Sequence, residues 1–205
     1  MPSTSDIRTA GAGANNTYVG GVAWTSPGNI TASDNSYATV DLNINNTSSQ
    51  ALFATNFGFT LPTFGTVTIG GIVATFERKA STADTIRDTH IYLIHDGSVI
   101  GDNKSQAQYW STTEGDVSFG GPADSWNTFL TSSAINSSSF GVMIACGYYN
   151  TYTAFETASI DSIKLTVYYD YLPYDNVKFG TTDLSKIYYG STEVTKVYYG
   201  STRVV

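Results

Sequence analysis

The sequence predicts an all-β chain: a jelly-roll-like sandwich of two β-sheets followed by a short β-repeat of hairpin or meander type. Three observations lead there. The 205 residues include 15 Tyr, 10 Phe and 19 Gly, with only 13% charged side chains, so strand formers and turn formers dominate together and helix formers do not. Short β-rich runs recur between turn clusters, about nine of them over some 150 residues, which is the rhythm of a sandwich or jelly roll. The last is a tandem decapeptide, KIYYGSTEVTKVYYGSTRVV, on which the sequence closes.

Residues 1–17 are small and polar around AGAGANN. They read as a flexible arm that orders only against a partner and would serve as an anchor. Residues 18–170 form the sandwich, through YVGGVAW, YATVDL, ALFATNFGF, GTVTIGGIVATFERK, IRDTHIYLIHDG, QYWSTT, DVSFGG, SFGVMIACGYY and SIDSIKLTVYY. Alternation assigns faces in two of these runs. Ile91, Leu93 and His95 share one face against Tyr92 and Ile94, and Ile160, Ser162, Lys164 and Thr166 oppose Asp161, Ile163, Leu165 and Val167. No helix of ordinary length is expected. TSSAINSSS at 131–139 offers a capped single turn.

A linker at 171–175 leads to three decapeptide units at 176–185, 186–195 and 196–205: NVKFGTTDLS, KIYYGSTEVT and KVYYGSTRVV. The period is ten residues, with Gly fifth and Thr seventh. Gly180, Gly190 and Gly200 open turns, and the residues between turns, such as Glu193 to Tyr199, read as strands with apolar groups on both faces. A thin meander leaves water on at least one face, so burial of its aromatics cannot offset the entropy of ordering it. Something else must cover it. Phe179, Tyr188, Tyr189, Val197, Tyr198 and Tyr199 are therefore expected to be oligomerisation or docking residues. Copies of the same chain about a symmetry axis, a homotrimer being the expected form, are favoured over another protein's surface.

Composition excludes several function classes. A net charge of -7 disfavours nucleic-acid binding, which draws on clustered basic residues; Arg78 and Lys79 in FERKAS read as a solvated strand end. Cys146, the single cysteine, reads as a buried free thiol. No signal-peptide pattern and no apolar stretch of spanning length occurs, so synthesis in a cytoplasm without membrane insertion is expected. His90, His95 and Cys146 do not have metal-cluster spacing. GAGANN lacks the helix of a phosphate loop, and no G-x-S-x-G elbow is present. Glu114 and Asp116 stand two apart across Gly115, too close on one strand to flank a sugar. No enzymatic activity is expected.

The body, through WTSPGNITASDNSYAT, TNFGFTLP, GGIVATFERKAS, YLIHDGSVIGDNK, GGPADSWNTFLTSSAINSSSFGVMIA and SIDSIKLTVYY, resembles a β-sandwich module of tailed-bacteriophage structural proteins and of bacterial surface proteins. The decads resemble the xxYYGSTxV repeats that end phage virion proteins. The resemblance implies a non-enzymatic virion component, a head or tail fibre or decoration protein, made in the host cytoplasm and assembled there with itself and other virion proteins. It also leaves room for contact with host-surface glycans. The alternative is a carbohydrate-binding module of a bacterial surface protein, with Trp110, Trp126, Tyr149 and Tyr152 as a stacking platform. Against that, Trp24, Trp110 and Trp126 read rather as sandwich core, while Tyr149 and Tyr152 sit in a polar loop. No cofactor is expected beyond a structural calcium at Asp34 and Asp161, where related jelly rolls hold one through oxygen ligands; Asp34 otherwise reads as a turn former.

Overall fold

The computed structural model describes residue 2, residues 4–151 and 153–172, and then 178–179, 182–183, 188–189, 191–194, 198–199 and 202–203. Its strands are β1 (Thr4–Thr9), β2 (Ala12–Asn16), β3 (Ala38–Leu42), β4 (Ala51–Thr55), β5 (Thr66–Ala80), β6 (Ile86–His95), β7 (Ser98–Ile100), β8 (Gly115–Gly120), β9 (Gly141–Tyr148) and β10 (Glu156–Leu172). They form two antiparallel sheets. The first has the order β1-β10-β5-β8, with β3 also on β10, and the second β2-β4-β9-β6-β7. Strand β10 is long enough to seat β3 along Glu156–Ile160 and β1 along Lys164–Tyr169.

The sheets pack face to face over one core, in which Leu42, Ile72, Phe76 and Leu165 of the first sheet meet Leu52, Ile91, Leu93 and Ile144 of the second. Strand β9 is buried along its whole length, because the outer side of its sheet carries a second, smaller apolar cluster of Ala51, Phe53, Ile94 and Met143. The alternation read for THIYLIH holds: Ile91 and Leu93 enter the main core and Ile94 the small cluster. The short helix α1 (Ser132–Ile135) is the expected capped turn, with the Thr131 hydroxyl accepting the Ala134 N–H. No helix among the described residues is long and apolar enough to cross a membrane.

Residues 4–16 are not a loose arm. β1 pairs with β10 and β2 with β4, so this segment clasps both sheets. The glycines that suggested flexibility are there for close approach: a Cβ at Gly13 would lie 2.0 Å from the Pro27 carbonyl oxygen, and one at Gly11 would lie 2.5 Å from that of Asn56. Because β1 is an edge strand with mostly exposed side chains, no apolar alternation marks it in the sequence.

Ile160 also departs from expectation. The register slips between Ile160 and Ser162 against β5, a β-bulge with Asp161 as the extra residue. Ile160 therefore joins Ile163 and Leu165 in the core, and Asp161 turns away from it.

Arg78 is not solvated. Its guanidinium lies between the sheets, forming a two-pronged ion pair with Asp88 of β6, with both side chains almost wholly buried. The Trp110 ring lies 4.3 Å from the guanidinium carbon, and its Nε1–H donates to Asp88 Oδ1 (2.9 Å). Arg78 continues the inward series Phe76, Arg78, Ala80 on β5, so alternation places it in the core despite its charge.

In the tail, the described residues form three antiparallel pairs: β11 (Lys178–Phe179) with β12 (Thr182–Asp183), β13 (Tyr188–Tyr189) with β14 (Thr192–Glu193), and β15 (Tyr198–Tyr199) with β16 (Thr202–Arg203). Each closes within its own decad. β14 stops before Val194, so the strand expected from Glu193 to Tyr199 is not continuous.

Asp88→Ala leaves a guanidinium buried without its carboxylate, and should lower the unfolding free energy by about 3–5 kcal/mol. Urea denaturation of this variant and of Arg78→Met/Asp88→Leu checks it: the double variant should recover most of the loss.

Candidate functional site

Three surfaces gather the residues of interest. The first lies on the outer side of the first sheet, where oxygens of Glu77, Glu114 and Asp161 fall within 4.8 Å of one another. The bulge aims Asp161 here, and the 31–37 loop covers it: the Asp34 and Asn35 N–H groups donate to its two oxygens (3.4 and 3.1 Å). Asp34 itself accepts from Ser36 N–H (2.9 Å), the turn-forming role. Asp161 is thus joined by Glu77 and Glu114, and Asp34 contributes its backbone.

The cluster carries its own cation. Lys79 Nζ donates to Glu114 Oε2 (2.9 Å) and to Tyr37 Oη (2.8 Å), and the Tyr37 hydroxyl donates to the same glutamate oxygen (2.5 Å). Ser162 Oγ donates to Glu77 (2.9 Å). The hydrogen bonds from Tyr37 and then Lys79 hold the Glu114 carboxyl below its ordinary value, while bonding to Glu114 raises the Tyr37 hydroxyl. Calcium is held by about six to eight oxygens, whereas here one of three carboxylates is already bound to an ammonium. The arrangement is a lock that joins β5, β10, the residue just before β8 and the loop.

The second surface is the outer side of the second sheet. Tyr149 lies there, half exposed, with its ring centroid 5.1 Å from the guanidinium carbon of Arg87, and Tyr109 covers the same guanidinium at 3.8 Å. His90 stacks on Tyr92 (6.2 Å) and meets Tyr18 edge-on (6.5 Å). Trp110 and Trp126 do not join this platform. Trp110 is committed to the ion pair, and Trp126 is fully buried with Nε1–H donating to the Ile72 carbonyl (2.9 Å). Neither shows a face on which a sugar could stack. Tyr152 lies outside the described residues. Arg87, Tyr109 and Tyr18 escaped the sequence reading and His90 was weighed only as a metal ligand, because only the pairing of β6 with β9 brings Arg87 across from Gly147 and so beside Tyr149.

No family model, curated protein or solved structure matches this chain.

The third surface is the end of the sandwich from which the tail departs. Phe64, Phe129 and Leu172 are exposed there, Phe129 to 89%. Phe64 meets Tyr171 edge-to-face (5.8 Å), and a cavity of about 450 Å³ opens between Val67, Ile69, Phe129 and Leu130. Of the expected assembly residues, Phe179, Tyr188, Tyr189, Tyr198 and Tyr199 sit in the paired tail strands, while Val197 lies outside the described residues.

Among the described residues one serine lies near both a histidine and an acid. His95 Nδ1 and Ser139 Oγ both meet Asp96, at 3.5 and 2.5 Å. The serine is bonded to the acid and not to the imidazole, so no base is placed to activate it. Cys146 lies inside the core beside the ion pair, and burial pushes its thiol up to about 12, which removes the reactive thiolate at neutral pH.

Two outcomes follow. Cys146 should resist a thiol reagent in the folded chain and react once urea unfolds it. For Glu114, a carboxyl pKa held below 4.5 stabilises the fold above that pH and ceases to as pH falls through the lower folded value. Glu114→Gln should melt about 2–4 °C below the unaltered chain at neutral pH, with the gap closing in acid; thermal melts at both pH values check this.

Proposed function

We propose that the chain is a non-enzymatic structural protein of a bacteriophage particle, of the fibre or decoration kind, that assembles through its C-terminal decads. The observation that carries the reading is the tail itself: three hairpins at a ten-residue period, each paired within its own decad. Two-stranded units of this size do not hold a structure alone in water. Tyrosine pairs repeated at fixed spacing suit a symmetric bundle, in which equivalent hairpins cover one another.

The sandwich end supports the same reading. β10 runs out at Leu172 against Thr66 of β5, beside the exposed Phe64 and Phe129. The tail thus starts beside exposed apolar side chains, which a sister subunit would bury by packing there. A buried ion pair, an internal acidic lock and an inert cysteine are the features of a scaffold. The phage assignment adds the resemblance of body and decads to virion components.

The solution mass of the intact chain and of a truncation ending at residue 175 tests the proposal. The intact chain should be oligomeric, a trimer being expected, and the truncation a folded monomer. In the full-length chain, Tyr188→Ser/Tyr198→Ser should weaken assembly by about tenfold or more, as loss of buried aromatic anchors does. A monomeric intact chain overturns self-assembly.

A further inference from the structure

We propose that the outer face of the second sheet binds an acidic saccharide, Arg87 pairing with its carboxylate and Tyr149 stacking on its ring. Arg8, Arg78, Lys79, Lys104 and Lys164 each lie within 4.0 Å of a carboxylate. Among the described side chains Arg87 alone of the basic residues has none, in a chain where 17 acidic residues outnumber 10 basic ones. It is also held in place. Tyr109 and Tyr149 flank its guanidinium, and its Nε is buried without a hydrogen-bond partner. An arginine fixed between aromatic rings and lacking an anion is preorganised for one, and its planar fork matches a carboxylate.

The surroundings select the rest of the ligand. A groove of about 560 Å³ runs past Arg87, Thr89, His90, Ser105, Gln106 and Tyr149. Gly147 keeps it open: a Cβ there would lie 3.1 Å from the Tyr149 ring and 2.9 Å from Thr89 Cγ2, so glycine lets the tyrosine lie across the sheet. The His90 ring, stacked on Tyr92, walls one side with its Nδ1 buried, and burial lowers the imidazole pKa, which favours the neutral ring. The amide of the exposed Gln106 and the hydroxyl of Ser105 add groups suited to sugar hydroxyls. One arginine in an acidic protein suits a single carboxylate per sugar better than a phosphate chain, which would require clustered positive charge. The proposal goes beyond assembly and rests on sandwich residues alone, so the oligomeric state does not bear on it.

Calorimetric titration of the intact chain with tetragalacturonate, tetramannuronate and sialyllactose tests it, with cellotetraose and sodium sulfate as controls. At least one acidic sugar should bind saturably, and the controls should not. Arg87→Gln and Tyr149→Ala should each weaken that binding by about tenfold or more with an unchanged melting temperature. In the unaltered chain the same sugar should shift the Gly147 and Tyr149 amide resonances, a readout that needs no variant to fold. No binding by any acidic sugar, equal binding of cellotetraose or sulfate, or shifts confined elsewhere overturns the proposal.

Discussion

The structure depends most on the Arg78–Asp88 pair. Two sheets that met only through aliphatic side chains could slide past each other at modest cost, since apolar contact has no direction. The ion pair has direction: two donors on β5 face two acceptors on β6, with Trp110 closing the site from above. Any sliding would strand a charge in the core, so the pair fixes register more than it adds stability. Cys146, opposite Asp88 on β9, shares this environment, which is why its thiol is both buried and unreactive.

The bulges do a second job. At Asp161 on β10, and between Asp88 and His90 on β6, one extra residue shifts the inward series. On β10 the shift sends a carboxylate outward into the lock with Glu77 and Glu114. On β6 it lets Asp88 face the core while His90 and Tyr92 face outward beside Tyr18. Both sites on the sheet faces thus arise where strict alternation breaks.

The same breaks explain what could and could not be read from the sequence. The two-sheet class, the capped turn at Thr131 and the faces of Ile91, Leu93 and Ile94 were legible, because each rests on local pattern. Ile160 was misassigned because a bulge leaves no mark in a string of residues. The glycines at 11 and 13 looked like slack because their Cβ clashes are with Asn56 and Pro27, which become neighbours only after folding. Arg78 looked like a surface charge because its partner, Asp88, belongs to the other sheet. Tyr149 stood out in its polar loop, but the arginine beside it did not, since cross-strand pairing alone joins them. Trp110 and Trp126 followed the general tendency of large aromatics to enter the core.

The topology also gives the molecule a polarity. The chain enters the sandwich at Thr4, which pairs with Tyr169, and leaves it at Leu172, so entry and exit share one pole. Strand β10 spans 17 residues, or roughly 55 Å at about 3.3 Å each, and Tyr149 stands just before its far end. Both chain ends of the sandwich therefore lie toward one pole of β10, and the tyrosine-lined groove lies toward the other.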